Sequence, residues 1–587
     1  MRTGQITMRG AALFVFVTML ALGLAASALY GLRRSSTAAA VAMAPPTNSS
    51  QAALIAMLRR HVKHVFIIYQ ENHSFDEYFG TYPGADNLAS AQARARGFRQ
   101  YDPIGKQWVT PFRIVDPDID SPSHSRPALI AKMNGGRSDD YIARQEQDSG
   151  KGGGDASDAQ RLGLLTMSYY DCDTIPFLWK YARTFALYDR FFQGMTGPST
   201  PGNIEIIAGQ TGQTQWARVP STAVKGATGP GVPVLSSIDP PFGPYPGKPR
   251  QPLEIDQRYA TVLLTLNGRN DVRATRDTQG VRRDLALMTR QGRAPIPWGW
   301  YQEGYNGPNT DVALEGYEAH HNAVQYFGYM RKNDVFWDHV HDAKALLSAL
   351  HRGTLPERSL AYVKGGSHNH FGWRPANKDP FIQKHFLGDD DHPGTDDSDR
   401  HIAQAFVATF VNAVARSRYW KDSAIVITWD DSGGYYDHVP SPQFERCPDG
   451  RPCGDGPRLP FILISPYARS SAIVHDVGDT ASVVKFVDTL LGLPALSSLP
   501  DEKPYMPEGP RDANARLSDL TGGFDLQRLS GTKPVIAASA AVIPDAAVTT
   551  FPPRMNCRSL GIQPVPLAGA SNAPPPGYAP RPSKDVP

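Results

Sequence analysis

The sequence has little excess of charge of either sign. Its 587 residues include 60 lysines and arginines against 57 aspartates and glutamates, which gives a formal net charge of +3. So small an excess supplies no strong electrostatic field for nucleic acid or for an anionic membrane. No nucleic-acid-binding platform is therefore expected, and the function has to lie in a localised site.

Cysteine is also scarce, with four residues in the chain. Their spacing matches no zinc-site pattern, which argues against a structural zinc site. Cys447 and Cys453 bracket a short turn-forming stretch and predict a small loop closed by a disulfide. Cys172 and Cys557 either form a second, long-range bridge or remain isolated buried thiols, and the sequence leaves both open.

The composition is that of a folded protein with many loops. Hydrophobic residues make up 41% and charged residues 20% of the chain, while 53 glycines and 51 prolines indicate many turns. The length exceeds the usual size of one domain. One large core with long insertions and two compact units both fit, whereas disorder throughout is excluded.

The N-terminal residues are typical of an export signal. Arg2 and Arg9 precede an uncharged apolar run at residues 10–32, and small residues follow up to residue 40. The run is about long enough to span a bilayer, for which ~20 residues suffice. A cleaved signal peptide and an uncleaved anchor in the inner membrane both stay open. In either case the protein is expected outside the cytoplasm, in the periplasm or secreted.

Apolar runs predict an α/β fold. Residues 64–69, 423–429 and 459–465 are rich in β-branched and aromatic side chains, and they predict buried strands of a parallel sheet. Residues 401–415 and 481–491 repeat apolar side chains at three- and four-residue spacing, which indicates helices. We predict a sandwich with a central, mostly parallel sheet flanked by helices.

The order of these segments predicts the domain organisation. A linker is expected at residues 41–60, and one domain that carries the site is expected at residues 61–495. Within this domain, a proline- and glycine-rich insertion at about residues 213–300, with apolar segments at 259–266 and 297–305, would cover or shape the site. Residues 496–587 form a C-terminal extension, with a disordered tail from about residue 564.

Carboxylates follow two of the predicted strands at the point where each strand ends. Glu71 and Asn72 come after the first strand, and Asp430 and Asp431 come after the later one. In an open α/β sheet, ligands bind beyond the carboxyl ends of the strands, so these side chains could form a site for a hard cation. In the alternative interpretation they only cap a turn or remain solvated.

A hydroxyl group begins the next predicted helix. Ser199 or Thr200 would lie where the helix dipole and unpaired amides favour an anion. Such a position suits an activated alkoxide and the phosphate that it attacks. An ordinary capping role at the helix start is the alternative.

Histidines supply candidates for proton transfer. They can give a leaving alkoxide its proton and can also bind an anion, because imidazole titrates near neutral pH. Each of them could instead be a surface or packing residue, and the adjacent pair could hold a second metal ion. The candidates are His124, the pair His320 and His321, His368, His370 and His392.

With these motifs in place, the sequence resembles a bacterial phosphoesterase family. That family contains phospholipases C and acid phosphatases and is related to the alkaline phosphatase superfamily. The resemblance covers residues 64–493 and rests on ENHSFDEYFG at 71–80, GPS at 197–199, WDDSGGYYDHV at 429–439 and RLP at 458–460. It implies an alkaline phosphatase-like sandwich. His320, His321, Lys364 and residues 389–394 look more like the acid phosphatase branch.

The resemblance also implies roles for individual residues. Ser199 would be the nucleophile that forms a phospho-enzyme, and His392 would act as an acid or as a phosphate ligand, with His124 and Asn203 nearby. His320 and His321 would assist the leaving group. One divalent cation, which is calcium, magnesium, manganese or iron, would be bound by Glu71, Asn72, Asp430 and Asp431. Gly202 departs from the family pattern and puts the role of Asn203 as a phosphate ligand in doubt.

These motifs predict an enzyme that hydrolyses phosphomonoesters, with a phosphate ester as its substrate. A phospholipase C or another phosphodiesterase is the alternative. A site for a cationic headgroup would need an aromatic cage, for which Trp298, Trp300, Tyr301 and Tyr305 are candidates, although they fit core packing equally well. A catalytically inactive surface binding protein of the same fold is a further alternative, but none of the predicted metal ligands is missing.

Overall fold

The structure is a computed structural model. It describes residues 48–218, 224–226, 229–232, 257–268, 276–306, 315–331, 334–446, 452–504, 511–570 and 573–582. The chain divides into two units, Met1–Ala53 and Leu54–Pro587. The second unit contains the sheet and the candidate site described below.

Eight strands of the described residues form one central sheet. Their order across the sheet is β4-β3-β5-β1-β6-β7-β2-β8. The strands are β1 (His64–Gln70), β2 (Ala186–Tyr188), β3 (Trp298–Gln302), β4 (Val340–Asp342), β5 (Ser359–Lys364), β6 (Ser423–Trp429), β7 (Phe461–Ile464) and β8 (Ala472–Val474).

The sheet is mostly parallel. Strand β1 lies between β5 and β6 and is parallel to both, in a register that places Gln70 opposite Trp429. The predicted strand at residues 459–465 is present as β7, but it is antiparallel to both of its neighbours, β6 and β2. A parallel neighbour needs a crossover connection, usually a helix. No helix is found in the described part of residues 430–460, so the chain returns in the opposite direction.

Alternate side chains of the strands enter two separate cores. In β1, Val65 and Ile67 belong to one core, and Phe66 and Ile68 belong to the other. Successive side chains of a strand point to opposite faces, so a sheet that is buried on both faces needs apolar residues throughout. The predicted α/β sandwich is therefore confirmed.

Helices cover both faces of the sheet. Those with eight residues or more in the described chain are α1 (Asn48–His61), α2 (Arg126–Met133), α3 (Tyr141–Lys151), α4 (Ala156–Leu165), α5 (Pro176–Thr184), α6 (Ser199–Ala208), α7 (Arg282–Gln291), α8 (Ala343–Arg352), α9 (Arg400–Arg416) and α10 (Thr480–Leu491). Residues from α6, α7 and α10 pack in the first core, and residues from α5, α8 and α9 pack in the second. The helices predicted at 401–415 and 481–491 are α9 and α10.

Shorter elements connect these layers. Short α-helices lie at Phe75–Phe79, Ala91–Ala95, Gln213–Arg218, Val262–Asn267, Gly328–Arg331, Asp334–Trp337, Pro380–His385, Leu526–Leu529, Ala538–Ala541, Asp545–Val548 and Cys557–Leu560. Short strands lie at Gln100–Asp102, Gln107–Val109, Phe112–Arg113, Ser168–Tyr169, Phe191–Phe192, Val224–Gly226, Gly229–Val232, Glu445–Arg446, Pro452–Gly454 and Gly478–Asp479.

The predicted insertion needs a correction at its end. Residues 298–302 form β3, a strand of the central sheet rather than part of a covering segment. Trp298 and Trp300 are buried in the first core, where Trp298 stacks on His339 with ring centroids 4.3 Å apart. An aromatic cage built on these two rings is therefore excluded, because their faces are occupied by core packing.

The linker and the tail differ from their predictions as well. Residues 48–60, predicted as linker, lie in helix α1, which is rich in good helix formers such as Ala, Leu and Arg. The described part of the predicted disordered tail packs on the rest of the chain. Leu567 is buried in the second core, and Arg581 pairs with Asp118 at 2.7 Å. These contacts give order to a segment whose composition alone resembles disorder.

Cys172 and Cys557 form a disulfide, with Cα atoms 4.8 Å apart and a separation of 385 positions in sequence. We expect Cys557→Ser to lower the free energy of unfolding by roughly 2–4 kcal/mol, because the bridge closes a long loop in the unfolded chain. Denaturant unfolding without reductant measures this loss. In excess reductant, wild type and variant should unfold at the same midpoint, and equal midpoints without reductant would contradict a stabilising bridge.

Some predictions fall on residues outside the described ranges. The export signal at 1–40 and Cys447, and hence the predicted Cys447–Cys453 loop, belong to this group. Within the described ranges, no helix combines the length and apolar character needed to cross a membrane.

Candidate active site

Three neighbouring parallel strands end at one edge of the sheet and deliver charged side chains there. Glu71 and Asn72 follow β1, Asp430 and Asp431 follow β6, and Lys364 is the last residue of β5. All five side chains are buried, with at most 1% of each residue exposed. Because the three strands are adjacent and parallel, their carboxyl ends meet at a single place.

Helix α6 brings a serine to the same place. Ser199 is its first residue and is 1% exposed. The Ser199 Oγ lies 3.0 Å from Glu71 Oε2 and 3.3 Å from Asp431 Oδ2. The dipole of α6 and the free amides of its first turn favour a negative charge at this position. The serine is therefore set where an alkoxide and an attacked phosphate would both be stabilised.

Close backbone approaches fix this arrangement. A Cβ on Gly202 in α6 would come within 2.5 Å of the Asp430 carbonyl oxygen, so only glycine lets the helix approach the strand end. Gly433 has φ +60°, and a Cβ there would meet the Asn72 carbonyl oxygen at 2.0 Å. The departure of Gly202 from the family pattern thus has a local physical reason.

The donor set fits a hard cation. A serine hydroxyl has one proton, yet Ser199 Oγ faces two carboxylates as well as the Asn72 amide at 3.1 Å. Burial raises the pKa of Glu71 well above its usual value, and the charge of Asp430 raises it further. A bound cation would offset the electrostatic repulsion between these closely spaced oxygen atoms. Carboxylate and amide oxygens are the ligands that calcium, magnesium and manganese prefer.

Asn72 connects the carboxylates to two histidines. Its backbone has φ 65°, a left-handed conformation that asparagine tolerates better than most residues. Both ends of the Asn72 side-chain amide find hydrogen-bond partners in one orientation. In that orientation the nitrogen faces Ser199 and Asp431, and the oxygen accepts a hydrogen bond from His392 Nε2 at 2.7 Å. His124 Nε2 lies 3.5 Å from the amide. As a metal ligand, Asn72 would turn its oxygen towards the carboxylates.

His392 is held as a cation by its neighbours. Its Nδ1 lies 3.0 Å from Asp397 Oδ2, and its backbone N–H donates to Asp390 Oδ1 at 3.1 Å. Burial alone would lower the pKa of His392, but the carboxylates of Asp397, Glu71 and Asp390 raise it well above its usual value. A protonated imidazole of this kind can donate a proton or bind a phosphate oxygen.

Lys364 adds a second positive charge inside the site. Its Nζ contacts Glu71 Oε1 and lies 3.7 Å from Asp430 Oδ2. Burial alone would lower the pKa of Lys364, but the charges of Glu71 and Asp430 raise it. The ammonium group therefore offsets part of the negative charge of two predicted metal ligands.

His321 contacts the same oxygen of Glu71 as Lys364 does. Its Nδ1 lies 3.0 Å from Glu71 Oε1, and burial, with the nearby His320 and Lys364, lowers the pKa of its imidazole well below the usual value. Ligand atoms of Glu71, His321 and Asp390 lie within 4.8 Å of one another and could hold a metal ion. The neutral imidazole is the form that binds metals.

The remaining predicted residues have different surroundings. Asn203 lies inside α6, where its Nδ2 donates to Ser199 O at 2.9 Å and to Asp430 Oδ2 at 3.2 Å. The rings of His320 and His321 meet edge to face, with centroids 3.9 Å apart, and His320 Nδ1 lies 3.6 Å from Glu318 Oε2. His370 Nε2 donates to the Glu315 carbonyl oxygen at 2.7 Å, and the His370 backbone N–H donates to Glu303 Oε1 at 2.7 Å. In this geometry, Asn203 positions a carboxylate.

Three contributors to the site, Lys364, Asp390 and Asp397, were not predicted from the sequence. Lys364 and residues 389–394 were recognised only as marks of a family branch. Lys364 ends the short apolar run of β5 and is followed by two glycines, just as Glu71 and Asp430 follow their strands. This shared placement at the end of a strand is the sequence feature from which Lys364 could have been predicted as a site residue. No sequence pattern marked Asp397 as the partner of His392.

A second buried ionic cluster lies around His438. Its Nδ1 is 2.6 Å from Asp76 Oδ2, and its Nε2 is 3.3 Å from Asp86 Oδ1. Arg458 bonds to Asp76 through Nη2 at 2.8 Å. Burial alone would lower the pKa of His438, but Asp76 and Asp86 raise it to about 9.

This cluster predicts a pH-dependent contribution to stability. Because the folded state raises the pKa of His438 above the ordinary 6.5, its contribution is fully present below about pH 6.5 and is lost as the pH rises through about 9. We expect wild type to be more stable than His438→Gln by about 3 kcal/mol at pH 6, with the difference shrinking between about pH 6.5 and pH 9 and largely gone above pH 9. Denaturant unfolding of both proteins across this range measures it. A difference that stays constant with pH would contradict the assignment.

Taken together, the site has the parts of an ester hydrolase. A buried hydroxyl stands at a helix start, beside oxygen ligands for a cation and two side chains that carry positive charge. The chain belongs to the Phosphoesterase family, whose model matches residues 62–494. It is accordingly a hydrolase that acts on phosphoric esters.

Curated relatives agree with this class at low identity. The chain is 22% identical to the non-hemolytic phospholipase C of Burkholderia pseudomallei, over 86% of this chain and 66% of that protein. It is 24% identical to phospholipase C B of Mycobacterium tuberculosis, over 74% of each. Among solved structures it is similar to the phosphonate monoester hydrolase SpPMH of Silicibacter pomeroyi, at 11% identity over 55% of this chain and 69% of that one, with a TM-score of 0.21. A TM-score this low supports no conclusion about the fold or the activity of this chain.

Proposed function

We propose that the protein hydrolyses phosphomonoesters through a phosphoseryl intermediate on Ser199. The observation that carries this proposal is the buried Ser199 Oγ, 3.0 Å from Glu71 and 3.3 Å from Asp431 at the first turn of α6. A terminal phosphate monoester carries up to two negative charges. The positive charges of Lys364, which is buried, and of His392, which is partly buried, together with a bound metal ion match that charge better than they match the single charge of a diester.

The proposed reaction has two displacements at phosphorus. Ser199 Oγ attacks, its proton passes to a neighbouring carboxylate, and the bond from phosphorus to the ester oxygen breaks. The protonated His392, fixed by Asp397, donates its proton to the leaving alkoxide. A water molecule then attacks the phosphorus of the phosphoserine and gives a proton to the now neutral His392. The bond from phosphorus to Ser199 Oγ breaks, the protonated carboxylate returns its proton to that oxygen, and inorganic phosphate is released.

Glu71, Asn72, Asp430 and Asp431 would hold one divalent cation. The cation would lower the pKa of the serine hydroxyl and neutralise charge on the phosphate. The four oxygen ligands favour calcium, magnesium, manganese or iron. Asn203 and Gly202 would keep Asp430 in place through the contacts described above.

A second candidate is the cleavage of a phospholipid headgroup ester. The names of the curated relatives favour it, since both of those given above are phospholipases C. The buried Trp298 and Trp300 provide no cage for a choline group, so a lipid substrate would have to be recognised elsewhere.

We propose that this activity lies outside the cytoplasm, either free or held at the inner membrane, because the N-terminal sequence resembles an export signal. The bridge between Cys172 and Cys557 supports that location, because disulfides persist in oxidising compartments.

Metal removal tests the proposal and separates the two candidates. We expect dialysis against a chelator to abolish hydrolysis of a chromogenic phosphomonoester, and one of calcium, magnesium, manganese or iron to restore it. Parallel assays use a chromogenic diester and phosphatidylcholine. Faster cleavage of phosphatidylcholine than of the monoester would move the assignment to phospholipase C. Full activity after complete metal removal would contradict both.

A further inference from the structure

A hairpin away from the active site exposes aromatic side chains. Its strands, Gln100–Asp102 and Gln107–Val109, pair Tyr101 with Trp108, and the two ring centroids are 5.4 Å apart. Trp108 is 58%, Tyr101 43% and Ile104 38% exposed. These residues are half of the large hydrophobic side chains that are exposed in the described chain. Contiguous apolar surface of this kind marks an interaction site.

Buried residues and hydrogen bonds on its inner face fix the position of the hairpin. Gln100, Asp102 and Val109 are buried on its inner face. The Asp102 carboxylate accepts from Gly105 N at 2.5 Å, from Gln107 Nε2 at 2.9 Å and from Gln160 Nε2 at 2.8 Å. The outward position of Tyr101 and Trp108 therefore follows from a fixed backbone and not from a loose loop.

Exposed basic side chains lie on the hairpin and next to it in the sequence. Arg94, Arg99 and Lys106 are exposed, and the Arg99 guanidinium lies 5.4 Å from the centre of the Trp108 ring. The one acidic residue in the stretch 93–113 is Asp102, which points inward. The net charge of the whole chain is only +3, so this positive character is local.

We propose that the aromatic hairpin, residues 100–109, docks the protein on an anionic phospholipid surface. Tryptophan and tyrosine prefer the boundary between headgroups and acyl chains, because they combine an apolar ring with a polar group. Arginine and lysine beside them attract the phosphates of anionic lipids. Tyr101, Ile104 and Trp108 enter the headgroup region, while Arg99 and Lys106 contact the phosphates. This surface goes beyond the proposed hydrolysis and does not depend on which ester is cleaved.

Quenching of tryptophan fluorescence by brominated lipid tests the docking in the full-length chain. The Ser199→Ala protein is used so that lipid is not consumed, and the vesicles contain phosphatidylglycerol with brominated acyl chains. The first 47 residues contain no tryptophan, and Trp108 is the exposed one among the described residues. We expect quenching in this protein and loss of most of that quenching in Trp108→Phe, whether or not the N-terminal segment also binds the vesicle.

Two further variants sharpen the result. Arg99→Gln combined with Lys106→Gln is expected to reduce the quenching to the level seen on phosphatidylcholine vesicles. Leu526→Ser, which removes an apolar side chain that is 44% exposed elsewhere, should leave the quenching unchanged. Equal quenching on both lipids that the double variant does not alter would overturn the anionic assignment.

The proposal fails if vesicles bind the protein but Trp108→Phe is quenched as strongly as its parent. It fails equally if Trp108 is not quenched at all, in which case the hairpin faces solution or a protein partner. In the otherwise wild-type chain, Trp108→Phe should retain full turnover of a soluble phosphomonoester. That measurement separates failure of docking from failure of the proposed function.

Discussion

Replacing Ser199 by alanine is expected to lower the turnover of a phosphomonoester by at least about a thousandfold, because the nucleophile itself is removed. The predicted metal ligands remain, so the bound metal content should stay unchanged. Steady-state hydrolysis of a chromogenic monoester, with metal analysis of the same preparation, measures both quantities.

Thr200→Ala is the matched control for this variant. Thr200 is the adjacent hydroxyl at the start of α6 and is also buried. We expect it to retain turnover within a few-fold of wild type. An active Ser199→Ala protein combined with an inactive Thr200→Ala protein would show that the neighbouring hydroxyl is the nucleophile.

Lys364→Met is expected to lower turnover by about a hundredfold or more, since it removes a buried positive charge beside the carboxylates of the proposed site. Its Nζ contacts Glu71 and lies 3.7 Å from Asp430. Loss of a positive charge beside two metal ligands should leave metal affinity unchanged or make it tighter. Turnover at saturating metal, measured together with the metal dissociation constant, separates this effect from general damage to the site.

Lys344→Met is the control for the loss of a lysine. Lys344 lies in α8, and its ammonium donates to the His370 carbonyl at an exposed position. Its turnover should equal that of wild type. If Lys364→Met also equals wild type, the buried ammonium has no part in catalysis. If it loses turnover and metal affinity together, its role is structural.

The centre of the fold was predictable because its strands are buried on both faces. The apolar runs at residues 64–69 and 423–429 predicted β1 and β6, and the carboxylates that follow them meet at one edge. Parallel strands place their carboxyl ends together, so the meeting of Glu71 with Asp430 and Asp431 followed from the order of the sequence. The position of Ser199 depended on the family resemblance as well.

Other parts depended on contacts between distant segments. Strand β3 contains WGWYQ between stretches rich in proline and glycine, and its place beside β5 is visible only in the folded sheet. Strand β7 is antiparallel to β6 because the connection between these two strands stays at one end of the sheet. The described residues of the C-terminal tail are held by distant partners, such as Asp118, which lies 463 residues from Arg581 in sequence. Local composition contains none of this information.

Isolation of the phosphorylated enzyme tests the central claim most directly. Wild-type protein is mixed with a phosphomonoester, quenched in acid during turnover and digested, and the peptide that contains Ser199 is analysed by mass spectrometry. The account predicts a phosphoryl group on Ser199 that disappears once substrate is exhausted and never forms in Ser199→Ala. An unmodified Ser199 peptide throughout turnover, or a phosphoryl group on another residue, would contradict it.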